Sequence, residues 1–362
     1  MLGMTTQNVV TTILGVAVIA VVTADAFQIT LGVRPRSRRA APSTWFLGSM
    51  LVVVRRATRR FDDARTERWL SWFGPLSVLL LLIFWFFGHV LGFSLVWTSL
   101  PGAFSEPLSF DEALYFSGVT YLTIGFGDVV PLSDWARGIA VGQGLLGVVM
   151  VALVMGFLAT LYGLYVERER ALVMLDVPGV DEISPTDLIG YVGRGPDGEA
   201  RLRGFFTDWS HWAGSLVTWH TTYPLLAFFR SQHPGQSWIT GLGLLTDAST
   251  LVLTGDGDHF EAEQMYRRGS HAITDLFRHR SGEIRAPITR DEWAGVHRRA
   301  MAAGLDLGDL DESFNEVTRL RDPYAGRLEA LKAAFAAPQG FWGSSSEPVP
   351  RHVHGRRRRS PK

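Results

Sequence analysis

At 362 residues the chain is long enough for two or three domains, and 47% of its residues are hydrophobic, with a mean hydropathy of +0.12. A wholly water-soluble protein seldom reaches a positive mean hydropathy, so we expect part of the chain to lie in lipid. Its 35 basic and 35 acidic residues give a formal net charge of zero but are unevenly placed. The lack of cysteine excludes disulfides, thiolate metal sites and cysteine nucleophiles.

The first apolar segment, Val9 to Val33, is long enough to span a bilayer. Arginines follow it at once and no basic residue precedes it, so the positive-inside rule predicts an N-terminus outside the cell. A cleaved signal peptide is the alternative, with Ala24-Asp25-Ala26 as the cleavage site. We favour a retained transmembrane helix within residues 1–33.

The next segment, residues 34–68, has ten arginines against three acidic residues and is predicted to be a cytoplasmic or interfacial linker. Its apolar part, Thr44 to Val54, is too short to cross a membrane and is expected in the interface. Arg55 to Arg68 is predicted to form an amphipathic helix along the inner leaflet. A voltage sensor is disfavoured, because it needs arginines spaced by apolar residues within a span.

Trp69 to Trp97 gives the strongest membrane signal, with tryptophans suited to both interfaces. His89 near its outer end is assigned no role. Between residues 98 and 136 there is no Lys or Arg, so this segment should form an acidic mouth that concentrates cations. The acidic residues are Glu106, Asp111, Glu112, Asp128 and Asp134.

A short helix from Asp111 to Tyr121 is predicted, with Ser109 as its N-cap and Glu112 completing a capping box. Residues 123–128 follow almost directly and read TIGFGD. This sequence, between two apolar runs of membrane length, resembles the selectivity-filter signature of the potassium channel pore-loop superfamily. A glycine-rich turn is the alternative, and the membrane context favours the filter.

The resemblance implies that K⁺ is bound by the backbone carbonyls of Thr123, Ile124, Gly125 and Phe126. A filter needs carbonyl oxygens that all point at the pore axis and replace the water around the ion. Glycine at alternate positions, Gly125 and Gly127, permits the necessary dihedral angles. Thr123 adds a hydroxyl at the inner end, and Ile124 and Phe126 are expected to point backwards into packing.

The filter support departs from the usual pattern of the superfamily. Most relatives have tyrosine at the position of Phe126, and its hydroxyl ties the filter to the pore helix, so that tie is expected to be lost. Tyr115 and Phe116 stand where many relatives have tryptophans, and Val119 stands where some have glutamate. Asp128 lies at the mouth. These differences leave K⁺ selectivity expected but put filter rigidity, and hence inactivation, in question.

The second pore helix is predicted from Trp135 to Tyr165, ending at the charged residues 167–170, which should be cytoplasmic. Gly147 stands where the superfamily often has its gating hinge, so the resemblance makes it the candidate hinge. Close helix packing is the alternative that a small residue also permits. The pore domain, residues 69–168, contains one pore loop. A pore lined by four such loops therefore implies a homotetramer.

Residues 169–343 are predicted to be a mainly helical cytoplasmic domain of unknown role. Residues 193–198 match GxGxxG after a plausible strand, Ile189 to Val192, but Pro196-Asp197-Gly198 is better turn chemistry than a dinucleotide loop.

Two apolar stretches are expected to be buried helices of this domain rather than spans, Trp212 to Phe229 and Trp238 to Thr254. Ile284 to Ala303 and Leu320 to Ala336 are predicted amphipathic helices. An acidic cluster within residues 256–263 lacks the ligand spacing of an EF-hand and is predicted to be a solvated loop. The basic tail, residues 344–362, is expected to be disordered, with contact to anionic lipids as the alternative.

The sequence thus predicts an all-α membrane protein with a two-helix pore module, a re-entrant pore helix, an extra N-terminal transmembrane helix and a helical cytoplasmic domain. The predicted function is a tetrameric, K⁺-selective channel of the plasma (inner) membrane. No enzyme activity, no cofactor apart from the permeant K⁺ and no nucleic-acid partner are expected, and an unidentified ligand of the cytoplasmic region is left open. The alternatives are a nonselective monovalent cation channel and a membrane-tethered sensor with a vestigial pore.

Overall fold

The computed structural model describes residues 5–32, 41–58, 63–175, 183–231, 237–277, 287–335 and 337. These residues form α-helices and one 3-10 helix, Pro224–Phe228, with no strand among them, which confirms the all-α prediction. The α-helices are α1 Thr6–Thr30, α2 Pro42–Thr58, α3 Asp63–Ser99, α4 Phe110–Tyr121, α5 Asp134–Val173, α6 Pro185–Val192, α7 Gly198–Thr222, α8 Trp238–Thr254, α9 Phe260–Phe277, α10 Arg290–Ala302, α11 Leu310–Arg321 and α12 Ala325–Phe335.

Three of the described helices are long and apolar enough to cross a membrane. They are α1, the Ser71–Ser99 part of α3, and α5. Each coincides with an apolar segment that the sequence analysis assigned to the membrane. The apolar part of α2 is shorter than a span, as expected for an interfacial helix.

The basic linker is organised differently from the prediction of one amphipathic helix over residues 55–68. Helix α2 ends at Thr58, and α3 begins at Asp63 and continues without interruption into the membrane span. Residues 59–62 lie outside the described residues, as do the arginine-rich residues 33–40 and the basic tail 344–362. Good helix formers at the start of α3 allow the helix to begin before the apolar segment does.

The chain divides into two compact units, one formed by Met1–Val173 with Ser215–Gln236 and the other by Met174–Gly214 with Ser237–Lys362. The first unit contains α1 to α5. The sequence analysis assigned all of residues 169–343 to one domain, whereas the structure groups Ser215–Gln236 with the pore helices.

Arg168, near the end of α5, holds part of the Ser215–Gln236 segment against this helix. Its side chain has no exposed surface and donates hydrogen bonds to the carbonyl of Leu226 at 3.0 Å and to that of Phe229. It also pairs with Glu169 at 3.0 Å. A buried guanidinium requires several acceptors at once. These carbonyls can meet that need because the 3-10 helix ends beside α5.

In the second unit, α8 is almost wholly buried and packs against α6, α9, α11 and α12. Its Asp247 accepts hydrogen bonds from Arg321 at 3.1 Å and from the Tyr324 hydroxyl at 2.6 Å. All three side chains are buried. The prediction that residues 238–254 form a buried helix is confirmed.

The glycine-rich stretch at residues 193–198 does not follow a strand, so the predicted strand Ile189 to Val192 is wrong. Those residues form the end of α6, and Gly193 is its C-cap. The local signal was ambiguous, since a short apolar run fits either a strand or a helix.

The two predicted amphipathic helices have different bounds in the structure. The first, α10, begins at Arg290, and the second predicted stretch, residues 320–336, contains the end of α11 and all of α12. Among the described residues no group of His, Asp or Glu could hold a metal ion.

Candidate functional site

The short helix α4 begins with the predicted capping box. The Ser109 backbone N–H and hydroxyl both donate to the Glu112 carboxylate, at 2.9 and 2.7 Å. The Glu112 N–H donates to the Ser109 hydroxyl oxygen at 3.4 Å. The hydrogen bond with Ser109 lowers the pKa of Glu112. The cap fixes the start of α4 at the mouth of the candidate pore.

Polar side chains from the two flanking helices hold α4 along its length. The Ser117 hydroxyl donates to the Val90 carbonyl of α3 at 3.0 Å. Gln143 of α5 donates to the Ser117 carbonyl and hydroxyl, at 2.8 and 2.7 Å, and accepts from the Trp97 indole at 2.8 Å. All of these side chains are buried. In an apolar environment such groups need partners within the protein, and here the partners fix the depth of α4.

The candidate filter, residues 123–127, leaves the end of α4 with an alternating backbone. Thr123, Gly125 and Gly127 have positive φ angles of 56°, 61° and 82°, whereas Ile124 and Phe126 do not. Positive φ is accessible to glycine but strained for threonine, which is β-branched. Thr123 is the only non-glycine residue with positive φ in the described part of the chain. Such strain persists only where surrounding contacts enforce it.

Main-chain hydrogen bonds anchor the inner end of the candidate filter to α4. The N–H of Thr123 donates to the Thr120 carbonyl at 3.0 Å, and the N–H of Ile124 donates to the Val119 carbonyl at 2.8 Å. Val119, singled out for its side chain, thus contacts the filter through its backbone. The Thr123 hydroxyl donates to the Leu122 carbonyl at 2.7 Å.

The outer end of the candidate filter is tied to α4 by a hydrogen bond that the sequence analysis did not foresee. The Tyr115 hydroxyl donates to the Asp128 carboxylate at 2.8 Å, and this bond lowers the pKa of Asp128. Phe126 has no hydroxyl, so the usual link from this position to the pore helix is absent, as the sequence analysis expected. Tyr115 supplies a tie one residue beyond the filter.

Phe116 is the next residue of α4 that the sequence analysis assigned to filter support. It is buried in an aromatic cluster with Trp97 and Phe104, whose ring centroids lie 5.3 and 5.1 Å away in edge-to-face arrangements. Such pairs stabilise beyond the area they bury. Phe116 therefore fixes the outer part of α4 against α3 and the loop that follows it.

Gly147 is buried where α5 passes the end of α4. A Cβ atom there would lie 1.9 Å from the Tyr121 carbonyl oxygen, far inside van der Waals contact. The helix is continuous through this position. The structure thus gives a steric reason for glycine at position 147, in agreement with the close-packing alternative. The hinge role stays a prediction.

Helix α5 buries one stripe of side chains and exposes the rest. From Gln143 onward the buried positions recur every three or four residues, as on one face of a helix. The opposite face exposes large apolar side chains, among them Val141, Leu145, Val148, Val151, Met155 and Tyr162. Ile124 and Phe126 of the candidate filter are also 49% and 68% exposed. A single chain therefore does not supply the packing expected behind the filter.

Sequence reasoning missed two polar residues beside the candidate pore. Gln143 and His89 are fully buried and each bonds to more than one helix. A lone amide or imidazole in an apolar span was the available signal, since such residues face the protein interior and have partners. Their partners are distant in sequence, so the pattern alone did not identify them.

Comparison with known proteins identifies the pore region. The family described as "Ion channel" matches residues 79–163, which include most of α3, all of α4, the candidate filter and most of α5. No solved structure gives a significant match to the chain.

Three curated proteins are similar to parts of this chain. The uncharacterized membrane protein YdjJ of Bacillus subtilis is 25% identical over 203 residues, 54% of this chain and 58% of YdjJ. The match thus spans less than two thirds of YdjJ. Protein LctB of Bacillus caldotenax is 32% identical over 92 residues, 22% of this chain and 68% of LctB, and LctB of Geobacillus stearothermophilus is 33% identical with the same coverage.

The family match covers α4 and the candidate filter, together with parts of the two candidate spans on either side of them. The LctB proteins share more than 30% identity with this chain over two thirds of their own length. The chain therefore belongs to the ion channel family, within the potassium channel pore-loop superfamily.

Proposed function

We propose that four copies of this chain form a K⁺-selective pore that conducts K⁺ passively down its electrochemical gradient. The chain carries an ion channel domain, and its described residues include three helices able to span a membrane. The observation that carries the finer proposal is the alternating backbone of residues 123–127.

Alternation between positive and negative φ is the geometry of a peptide with alternating handedness. In such a ribbon successive carbonyl groups turn to the same side, whereas in an ordinary strand they alternate. The carbonyls of Thr123, Ile124, Gly125 and Phe126 are then available as a line of ligands. Oxygen ligands at this density replace the hydration shell of K⁺. No catalytic group is required, because conduction breaks no covalent bond.

The exposed surfaces support a homotetramer. One chain contributes a single ribbon, and four ribbons around a shared axis are needed to surround an ion. The side chains of Ile124 and Phe126 and the outer face of α5 are apolar and exposed in one chain. Neighbouring subunits would bury them, and the same packing would hold the carbonyls at constant spacing.

The test compares K⁺ and Na⁺ fluxes through the purified protein in liposomes. We expect K⁺ flux to exceed Na⁺ flux by at least an order of magnitude and the Gly125→Ala variant to lose K⁺ flux while remaining tetrameric, because alanine at positive φ costs about 1–2 kcal/mol.

Gly102→Ala is the matched control for this variant. Gly102 also has positive φ, at 74°, and a Cβ at either glycine meets no atom within 4 Å, but Gly102 lies outside the filter. The control should conduct like the wild type.

The same measurements separate the alternative functions. Equal K⁺ and Na⁺ fluxes would identify a nonselective monovalent cation channel. Conduction that survives Gly125→Ala unchanged would refute the filter, and a wild type that conducts no ion would favour a sensor with a vestigial pore.

We also propose that the chain lies in the plasma (inner) membrane with its N-terminus and filter mouth outside. The acidic loops around the filter and the arginine-rich linker after α1 support this orientation. Because the chain has no cysteine, single introduced cysteines report topology cleanly. In intact cells an impermeant maleimide should label Glu106→Cys, and it should label Asp208→Cys only after permeabilisation. The reverse pattern would contradict the orientation.

A further inference from the structure

The N-terminal helix α1 lies outside the 79–163 region that the ion channel family describes, yet it packs closely along α3. A Cβ atom added at Gly15 of α1 would lie 2.6 Å from the carbonyl oxygen of Gly92 in α3. A Cβ atom added at Gly92 would lie 2.7 Å from the Ile19 side chain. A Cβ at Gly88 would lie 2.8 Å from Val22. The two helices therefore approach at backbone distance, which small residues permit and which holds them rigidly together.

Buried polar groups fix the register of α1 on α3. Asp25 of α1 is 2% exposed and accepts from the Trp85 indole at 2.8 Å and from the Ser43 hydroxyl at 2.7 Å. Toward the other end of α1, Thr12 and Ser99 are hydrogen-bonded at 2.7 Å. Polar pairs in an apolar environment tolerate little sliding, because displacement leaves buried groups without partners.

His89 joins this helix pair to the pore helix. The imidazole is fully buried, and its Nδ1 lies 2.8 Å from the Trp85 carbonyl oxygen, which can only accept, so Nδ1 carries a proton. Its Nε2 lies 2.9 Å from the Thr23 hydroxyl of α1. On the side of α4, the Tyr121 hydroxyl lies 3.2 Å from Nδ1, and the two rings stack with centroids 5.3 Å apart.

Tyr121 is the last residue of α4 and precedes Thr123, the first filter residue, by two positions. Its carbonyl oxygen is the group that approaches Gly147 of α5. The ring of Tyr121 therefore contacts α3, and its backbone carbonyl contacts α5. A polar path of side-chain contacts runs from Thr23 through His89 to Tyr121.

We propose that His89 is a positioning residue for the filter and that α1, through Thr23, sets the orientation of the imidazole that holds Tyr121. Helix α1 is then a functional part of the pore and not only a membrane anchor. The proposal rests on the proposed K⁺-selective function, since the property that α1 protects is the position of the filter carbonyls.

The test alters the hydroxyl on α1, because replacing His89 itself would leave several buried polar groups unpaired. Thr23→Val keeps the side-chain shape and removes the hydroxyl that contacts Nε2. Thr12→Val is the matched control, because it removes a hydroxyl that links the same two helices at their other end. The K⁺/Na⁺ permeability ratio is measured from reversal potentials in reconstituted tetramers.

We expect Thr23→Val and Tyr121→Phe each to lower the permeability ratio by about threefold or more, the size of effect that loss of one buried hydrogen bond can produce. The double variant should be no worse than the stronger single variant, because both act through His89. Thr12→Val should match the wild type. Equal effects of Thr23→Val and Thr12→Val, or multiplying effects in the double variant, would overturn the proposal.

A second measurement does not depend on conduction. Amide hydrogen exchange at residues 121–125 should be faster in Thr23→Val than in the wild type and unchanged in Thr12→Val. If the wild type conducts K⁺ and Na⁺ equally, the proposed selectivity fails, yet this difference still tests the link. Unchanged exchange in Thr23→Val refutes the link even if the pore is selective.

Discussion

Replacing Gly147 by alanine tests whether α5 fixes the end of the pore helix. Gly147 is buried, and an added Cβ would lie 1.9 Å from the Tyr121 carbonyl oxygen and 2.9 Å from its carbonyl carbon. Both of these atoms are backbone, so no side-chain rotation relieves the overlap. Either α5 or the end of α4 must move.

The size of the movement follows from the contact distances. Ordinary van der Waals contact for such a Cβ begins at 3.4 Å, so its 1.9 Å distance from the Tyr121 carbonyl oxygen must increase by about 1.5 Å. Alanine stabilises a helix interior by about 1 kcal/mol relative to glycine, and overpacking costs about 1–3 kcal/mol. The net loss of stability is therefore small, while the displacement is large compared with the tolerance of an ion site.

The assay is K⁺ and Na⁺ flux from liposomes that contain purified protein of confirmed oligomeric state. We expect Gly147→Ala to assemble but to lose most K⁺ flux or K⁺/Na⁺ discrimination, because Tyr121 precedes the first filter residue by two positions. Gly144→Ala is the control. A Cβ at Gly144 would lie 3.5 Å from the Thr120 carbonyl oxygen, an ordinary contact.

Two results would refute this reasoning. A Gly147→Ala pore with wild-type flux and selectivity would show that the contact does not position the filter. Equal loss in Gly144→Ala would point to a general effect of stiffening α5. Altered opening with intact selectivity would instead favour the hinge role predicted for Gly147.

Three further predictions concern other parts of the molecule. Tyr115→Phe removes the hydroxyl bonded to Asp128 at 2.8 Å, and we expect faster decay of K⁺ current at unchanged initial selectivity, measured by patch clamp of reconstituted protein. Asp247→Asn removes the carboxylate charge that pairs with the buried Arg321 and should lower the free energy of unfolding by about 3–5 kcal/mol. The measurement is a denaturant titration, with Asp256→Asn in an exposed loop as the control. Burial and the nearby Arg168 guanidinium lower the pKa of His220 from 6.5 to about 3. Below pH 6.5 the unfolded chain binds a proton that the folded chain does not, so the free energy of unfolding should fall on acidification by up to about 1.4 kcal/mol per pH unit and subunit. His220→Gln should flatten this pH dependence, and an unchanged slope would contradict the assignment.

The sequence alone determined the features whose causes are local. The length and hydropathy of an apolar run fix whether a helix can cross a bilayer, so α1, α3 and α5 were predicted from composition. The Ser109 capping box is also local, because its partners are three residues apart. Positive φ at Gly125 and Gly127 was expected for the same reason, since only the missing Cβ is needed.

The tertiary structure decided the features that depend on residues far apart in the chain. The sequence shows His89 and Gly147 as a lone histidine and one glycine among several, and only the approach of α1, α4 and α5 gives them their contacts. The return of Ser215–Gln236 to the pore unit was likewise hidden, because the acceptors for Arg168 lie about 60 residues further along the chain. Buried polar groups bond to the partners that the fold brings near them, and the hydropathy pattern does not indicate which residues those are.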